Sequence, residues 1–345
     1  MAKLTMHERV HYDEASAQQM VSTGDLPGVD QVRDAAVEAH ERYRPVTDGE
    51  VADYIPALAH ASPDLFGISL VGVRGRSLDV GDTDTAFSIQ SVSKPFVFAL
   101  VVESIGYEAA RQQLGVNGTG FPFDSVMAVE LNEERTMNPM VNAGAIATTS
   151  LIPGDTAEAK WERVRDGLSR FAGRELSIDH DVYASEAASN LRNRGIAHLL
   201  ESYGRVSFDP DEATDVYTRQ CSLDVTAHDL AVMAATLADG GVNPVTGVRV
   251  IVPGVCRRVL AVMATAGLYE LSGDWLYEIG LPGKSGVSGG IVTVAPGKGG
   301  LATYSPPLDV AGNSVRGQLA TKYLAERLGL NLFASVPAEG PPPEF

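Results

Sequence analysis

The chain has 345 residues, 44% hydrophobic and 21% charged, enough to bury a substantial core as one large domain or two lobes. Its formal charge of -17 argues against nucleic acid or an anionic membrane surface as partner, and its two cysteines, Cys221 and Cys256, leave no disulfide framework and no cysteine metal cluster. Met1 to Arg9 carries charges where a signal peptide needs an apolar run, and no later stretch reaches the roughly 18 apolar residues of a membrane span, so a cytoplasmic protein is expected.

From about Gly28 to Tyr43, Val32, Ala35, Ala36 and Ala39 recur at helical spacing. A short helical piece closes at Asp53-Tyr54-Ile55-Pro56. Phe66–Val73 reads as a strand, and Gly75-Arg76 as a turn into a second strand near Ser77–Val80. Phe87 and Ile89 alternate like the end of a strand. Pro95 is tolerated only in the first turn of a helix, so the break between the two falls at the serines 88, 91 and 93. Phe96 to Val102 is apolar all round, the mark of a buried helix.

Ser91 stands three residues before Lys94 at the mouth of that helix. Residues three apart on a helix lie about 5–6 Å apart on one face, so hydroxyl and amine can meet. A serine hydroxyl is a weak nucleophile at neutral pH, and a neutral amine can take its proton. With an ordinary pKa of about 10.4, only about 1 lysine in 2,500 is neutral at pH 7, so Lys94 needs burial or a second cation beside it. Lysine is scarce in this chain, and among Lys3, Lys94, Lys160, Lys284, Lys298 and Lys322 only Lys94 has Ser three residues before it.

After a helix at Glu108–Leu114 comes a polar connection, then a helix with Asn138 as its N-cap and Pro139 as its first residue, which puts Asn142 in the helix interior. From there to about Gly267 only helices are expected: Ala157–Phe171, Val182–Tyr203, Glu212–Gln220, Thr226–Ala238 and Val255–Ala266. Glu186, Asn190 and Asn193 then share one polar helix face. Gly290–Ala295 and Gly300–Tyr304 form a hairpin around Pro296–Gly299, and a last helix runs from about Gln318 to Arg327. Residues from Pro337 on are a solvated tail. Strands at both ends with helices between mean that the ends pair in one sheet, with a helical lobe and a crevice between the two.

The glycine-rich stretch Gly280–Gly290 fits three motifs unequally. A phosphate-binding loop would need Gly where Glu278 stands and a helix afterwards. A G-x-S-x-G nucleophile elbow at Gly286–Gly290 would need a helix after it and a downstream histidine, whereas a strand follows and the last histidine is His228. Lys284-Ser285-Gly286 fits the K-[ST]-G element that accompanies S-x-x-K in serine acyl-transfer enzymes, set just before an edge-like strand. A charged Lys284 about 4 Å from Lys94 would depress it by about 4 kcal/mol at an effective dielectric near 20, or about three pKa units.

Taken together, these blocks resemble the serine-dependent glutaminases, relatives of the β-lactamase and penicillin-binding-protein fold. The match runs from about Val51 to Val315 and includes Val51–Pro56, Ser62–Leu65, Gly81–Thr83, Gln90-Ser91, Lys94-Pro95, Asn138–Ile146, Ser185-Glu186, Asn193, Ala234–Ala238, Lys284–Val287 and Ser305–Asp309. The resemblance implies an α/β (α+β) fold of β-lactamase/transpeptidase type, with a mainly antiparallel sheet from both chain ends, flanking helices and a helical lobe. The expected division is an N-terminal helical extension over 1–48 and a catalytic domain over 49–335, with a tail over 336–345. The domain's sheet lobe would take about 49–105 and 280–335, and its helical lobe about 106–279.

The activity implied is hydrolysis of L-glutamine to L-glutamate and ammonia through a γ-glutamyl ester on Ser91. In the family pattern Lys94 is the base, Tyr269 the proton donor to the leaving amine, and the backbone N–H groups of Ser91 and Val287 the oxyanion hole. Tyr54, Asn142, Glu186, Asn193 and Tyr217 line the pocket. The charge pattern suits an amino-acid zwitterion, with Glu186 on the α-ammonium and the asparagine amides, Asn190 included, donating to the α-carboxylate. No metal or organic cofactor is expected, and the implied assembly is a homo-oligomer, dimer or tetramer. A β-lactamase or peptidase of the same fold and a non-catalytic amino-acid-binding protein are the alternative readings.

Overall fold

The computed structural model describes residues 26–133, 135 and 137–336. The expected solvated tail from Pro337, and the first 25 residues of the expected extension, lie outside them.

Five strands form the main sheet: β1 (Gly67–Gly72), β2 (Ser77–Gly81), β5 (Gly283–Ser285), β6 (Gly290–Ala295) and β7 (Gly299–Tyr304). Their order is β2-β1-β7-β6-β5, every pair antiparallel, so the N-terminal hairpin and the C-terminal strands share one sheet as the sequence implies. The alternation of side chains divides the sheet's two faces. Ile68, Leu70, Ile291, Ala295 and Leu301 pack under α1 (Val29–Tyr43) and α13 (Val315–Arg327). Val71, Val292, Val294, Ala302 and Tyr304 face the other way, against α10 (Ala227–Ala238). Thr226 and Asp229 form a capping box at the start of α10, and the Arg174 guanidinium forks onto the Asp229 carboxylate at 2.8 and 2.6 Å.

The helical side is built on α2 (Lys94–Ile105), which packs against α5 (Asn142–Ser150), α6 (Ala157–Ala172) and α11 (Pro253–Ala266). Being apolar all round, α2 has no face suited to water, and its residues 94–99, 101 and 102 are buried. Between the two sides, β3 (Phe87–Ser88) pairs with β4 (Asp224–Val225), a strand where only helix was expected. β4 is two residues long, too short for any alternation to show in sequence.

Two further expectations about helices are corrected. Helix α5 starts at Asn142 with Val141 as its N-cap, not at Pro139. Asn138 instead folds its side chain onto the Met140 amide at 3.0 Å, a local turn that competes with a helix cap. The expected helix Val182–Tyr203 is two, α7 (His180–Ser189) and α8 (Leu191–Ser202), broken at Asn190, whose φ of -83° and ψ of 24° leave the helical well. Glu186 and Asn193 therefore sit on different helices.

Gly267, just after α11, is where helix meets sheet. A Cβ there would stand 1.8 Å from the Gly283 carbonyl oxygen of β5. We expect Gly267→Ala to cost about 1–3 kcal/mol by pushing α11 and β5 apart. Thermal melting checks it, and a variant as stable as the wild type would contradict the close approach.

Candidate active site

Ser91 lies in a 3-10 turn, Gln90–Ser93, that runs directly into α2. The turn is closed by the Lys94 N–H on the Ser91 carbonyl, and in such a turn side chains three apart eclipse, which places Ser91 and Lys94 on one side. The first bond within the turn comes from the Val92 N–H to Ile89, so the Ser91 N–H has no partner inside the turn. Gln90 holds a φ of 49°. A non-glycine residue in that region stores strain of about 1–3 kcal/mol, and such strain clusters at functional sites.

The β5–β6 turn closes over this segment. Gly286 has the backbone of Ile89 and the side chains of Val92 and Gln90 against it; a Cβ would stand 3.1 Å from the Ile89 oxygen. The Ser88 and Ser288 hydroxyls meet at 2.8 Å, holding Val287 beside the Ser91 turn. The expectation of a K-S-G element just before a strand needs adjustment, because Lys284 and Ser285 are themselves in the edge strand β5.

Lys94 is buried, and its Nζ donates to Asn142 Oδ1 at 2.8 Å. Burial brings its pKa down to about 8, against the opposing pull of Cys221 and Glu186. Lys284, also buried, is held well below the ordinary lysine value, by burial first and then by the charge of Lys94. Its Nζ donates to the Ser285 carbonyl at 2.7 Å and lies 4.3 Å from the Tyr269 ring centre. This corrects the expected electrostatics. Burial, not a second cation, is the cause that brings Lys94 down, and it is Lys284 that feels the charge of its neighbour.

Tyr269 takes up the other side. Its φ is 55°, its hydroxyl donates to the Ser285 carbonyl at 3.3 Å and is hydrogen-bonded to the Ser91 side chain. Burial pushes its pKa up to about 12, so it keeps its proton. The Phe123 ring packs on it, 4.8 Å between centroids.

Asn142 ties these groups to the helical side. Besides Lys94, its Oδ1 accepts from the Tyr217 hydroxyl at 3.3 Å, and its Nδ2 donates to Asn193 Oδ1 at 3.1 Å. Asn142 stands in the first turn of α5, not in the helix interior, and the Lys94 ammonium fixes which end of its amide accepts. Asn193 is thereby left with its NH2 as a donor. The Glu186 carboxylate is buried, accepts from Gln90 Nε2 at 3.3 Å, and is pushed up to about 7 by desolvation. Tyr54 is 56% exposed, yet its hydroxyl stands within electrostatic reach of Tyr269, Glu186 and Asp124, at the rim of the same cluster.

Ser91, Lys94, Tyr269, Lys284, Asn142, Glu186, Asn193, Tyr217, Val287 and Tyr54 thus form one connected group at the junction of sheet and helices. Two members escaped the sequence reading. Gln90, between Ser88 Oγ and Glu186, is marked only by its strained backbone, which sequence does not display. Cys221 lies buried against Ser93 and Tyr217, its thiol pushed up by burial and so protonated, and a lone cysteine at the end of an amphipathic helix carries no signal.

Residues 49–333 match the family model for glutaminase. The chain belongs to the glutaminase family. Glutaminase 2 of Yersinia pestis is 58% identical over 92% of this chain and 93% of its own, and a glutaminase of Brucella canis 52% identical over 84% and 91%. Among solved structures, a probable glutaminase, ybaS, matches with a TM-score of 0.88 and 44% identity over 89% of this chain and all of its own. The Bacillus subtilis glutaminase YbgJ, solved as a covalent complex with 5-oxo-L-norleucine, matches with a TM-score of 0.79 and 31% identity over 88% and 99%. The fold of this glutaminase is accordingly β-lactamase-like, with a five-stranded antiparallel sheet and flanking helices. No helix among the described residues is long and apolar enough to cross a membrane.

Proposed function

We propose that the chain hydrolyses L-glutamine through a γ-glutamyl ester on Ser91, and that Lys94 is the base. The observation that carries this reading is Lys94 itself, a buried amine three residues after the serine with a pKa brought down to about 8. A general base serves best with a pKa near the working pH. Ser91 Oγ attacks the side-chain amide carbon as its proton passes to Lys94, and the carbonyl oxygen becomes an oxyanion facing the Ser91 and Val287 N–H groups. Collapse of this intermediate breaks the C–N bond, and ammonia leaves with a proton from Tyr269, which is made good by the proton that Lys94 took from Ser91. Water then attacks the ester, giving a proton to Lys94, which passes it to Ser91 Oγ as the ester bond breaks and glutamate leaves. Lys284, bonded to the Ser285 carbonyl that Tyr269 also touches, steadies the proton donor.

The substrate's α-carboxylate takes the Asn193 N–H groups, and its α-ammonium faces Glu186. Relatives of the chain solved in a glutamate form support a ligand of this class. Cytoplasmic location and a homo-oligomer remain part of the same reading. Ammonia release from L-glutamine by the purified protein tests it, and turnover of a chromogenic cephalosporin instead would favour the β-lactamase alternative.

The site's ionisations set the pH dependence. Glu186 must lose a proton, near pH 7, to face an ammonium, and Lys94 must lose one, near pH 8, to act as base. kcat/KM is therefore expected to rise with pH through both values, with no fall from Tyr269, which stays protonated to about 12. Glu186→Gln should raise KM and remove the lower of the two rises. A profile that falls between pH 6 and 8 would contradict both assignments.

A further inference from the structure

On the sheet face that α1 covers, Leu78, Leu70, Leu301 and Thr293 are partners in register across β2, β1, β7 and β6 and stand in one row. Two residues further along β1, β7 and β6, where the next row of side chains belongs, the partners are Gly72, Gly299 and Ala295, which bring only the Ala295 methyl group. A hollow takes the place of that row. Its volume is about 380 Å³, within the range of small-molecule sites, and Val29 and Val32 of α1 complete its aliphatic wall with Leu281 and Leu330. A Cβ on Gly72 would meet no atom closer than 3.7 Å, so close packing does not demand a glycine there.

The charges around this hollow are of one sign. Arg74 and Arg76, on the turn from β1 to β2, and Lys298, on the turn from β6 to β7, all line it, and the Val73 N–H joins the two turns by donating to the Lys298 carbonyl at 3.0 Å. Both arginines are exposed, whereas Lys298 is buried, its Nζ donating to the Gly329 carbonyl at 3.1 Å. No Asp or Glu among the described residues lines the hollow, in a chain that carries 44 of them against 27 Lys and Arg. No aromatic ring lines it either, so a flat ligand would find nothing to stack on.

We infer that the hollow is a second binding site, for an aliphatic carboxylate of medium chain length, with its alkyl chain along the Leu70–Leu301 row and its carboxylate facing Arg74 and Arg76. The aliphatic wall calls for a chain, and a guanidinium matches a carboxylate with two parallel hydrogen bonds. The site is separate from the Ser91 cluster. β6 runs six residues from Gly290, which follows Ser288 by two, to Ala295 in the wall of the hollow, and at about 3.4 Å per residue its ends stand about 17 Å apart.

The test is calorimetry on the full chain with octanoate and with 1-octanol, which has the same chain and no charge. Octanoate should bind about 10-fold or more tightly than octanol. The double variant Arg74→Ser, Arg76→Ser should bring octanoate to within about twofold of octanol while kcat for glutamine stays as in the wild type. Gly72→Leu, which puts a side chain into the hollow, should weaken both compounds about 10-fold or more; if it does not fold, the arginine pair, exposed on a turn, still gives the answer. A full chain that takes up neither compound, as when residues 1–25 or a second copy fill the hollow, would overturn the assignment. Equal affinity for the two, octanoate binding unchanged in the arginine variant, or octanoate displaced by L-glutamate would overturn it as well.

Discussion

Ser91→Ala is expected to lower kcat for glutamine by about 10³-fold or more while leaving the protein folded and able to bind L-glutamate. Alanine fits a 3-10 turn as well as serine does, and what Ser91 Oγ loses among the described residues is its bond with the Tyr269 side chain. The change therefore removes the attacking atom and little else. Neighbouring hydroxyls do not substitute for it, because the Ser93 hydroxyl donates to the Gln90 carbonyl at 2.7 Å and that of Ser88 is engaged with Ser288. Ammonia release, thermal melting and glutamate calorimetry on the same preparation check the three parts. A variant with wild-type kcat would exclude Ser91 from the chemistry.

Lys94 should show a loss of activity coupled to a gain in stability. Lys94→Arg keeps a cation beside Asn142 but cannot yield a proton, so a fall of about 10³-fold in kcat is expected even where the variant folds normally. Lys94→Met should be equally inactive and, near pH 7, more stable than the wild type. The sign follows from linkage. The folded-state pKa of about 8 lies below the ordinary 10.5, so between these values the unfolded chain holds a proton that the folded one has lost. Wild-type stability therefore rises with pH across that window, and below pH 8 the full penalty, on the order of 3 kcal/mol, is in force. Loss of the Asn142 bond offsets part of the gain in Lys94→Met. Denaturant unfolding at pH 7 and pH 10 should show the advantage of methionine shrinking as pH rises, and a constant difference would contradict the depressed amine.

Much of the site was legible because its chemistry sits on local spacing. Ser91 and Lys94 are three apart, Lys284 and Val287 flank a glycine that lets their turn meet the serine, and the β6–β7 hairpin declares itself by apolar strands around Pro296-Gly297. What was not legible depends on tertiary partners. The break at Asn190 has no proline or glycine to announce it, and the residue leaves the helix where its side chain turns inward to bond Thr218, 28 positions away. Asn138 reads as a cap because caps and local turns use the same side-chain bond, and only the Met140 amide distinguishes them. The cause of the Lys94 shift was likewise hidden, since spacing does not show how deeply an amine is buried.

The glutamine-like diazoketone 6-diazo-5-oxo-L-norleucine reports directly on the attacking atom. Incubated with this chain and followed by peptide mapping in a mass spectrometer, it should leave its residue, less dinitrogen, on the peptide carrying Ser91 and on that side chain, with ammonia release lost in step. Labelling confined to another residue, or inactivation that proceeds unchanged in Ser91→Ala, would contradict the ester on Ser91 and the mechanism built on it.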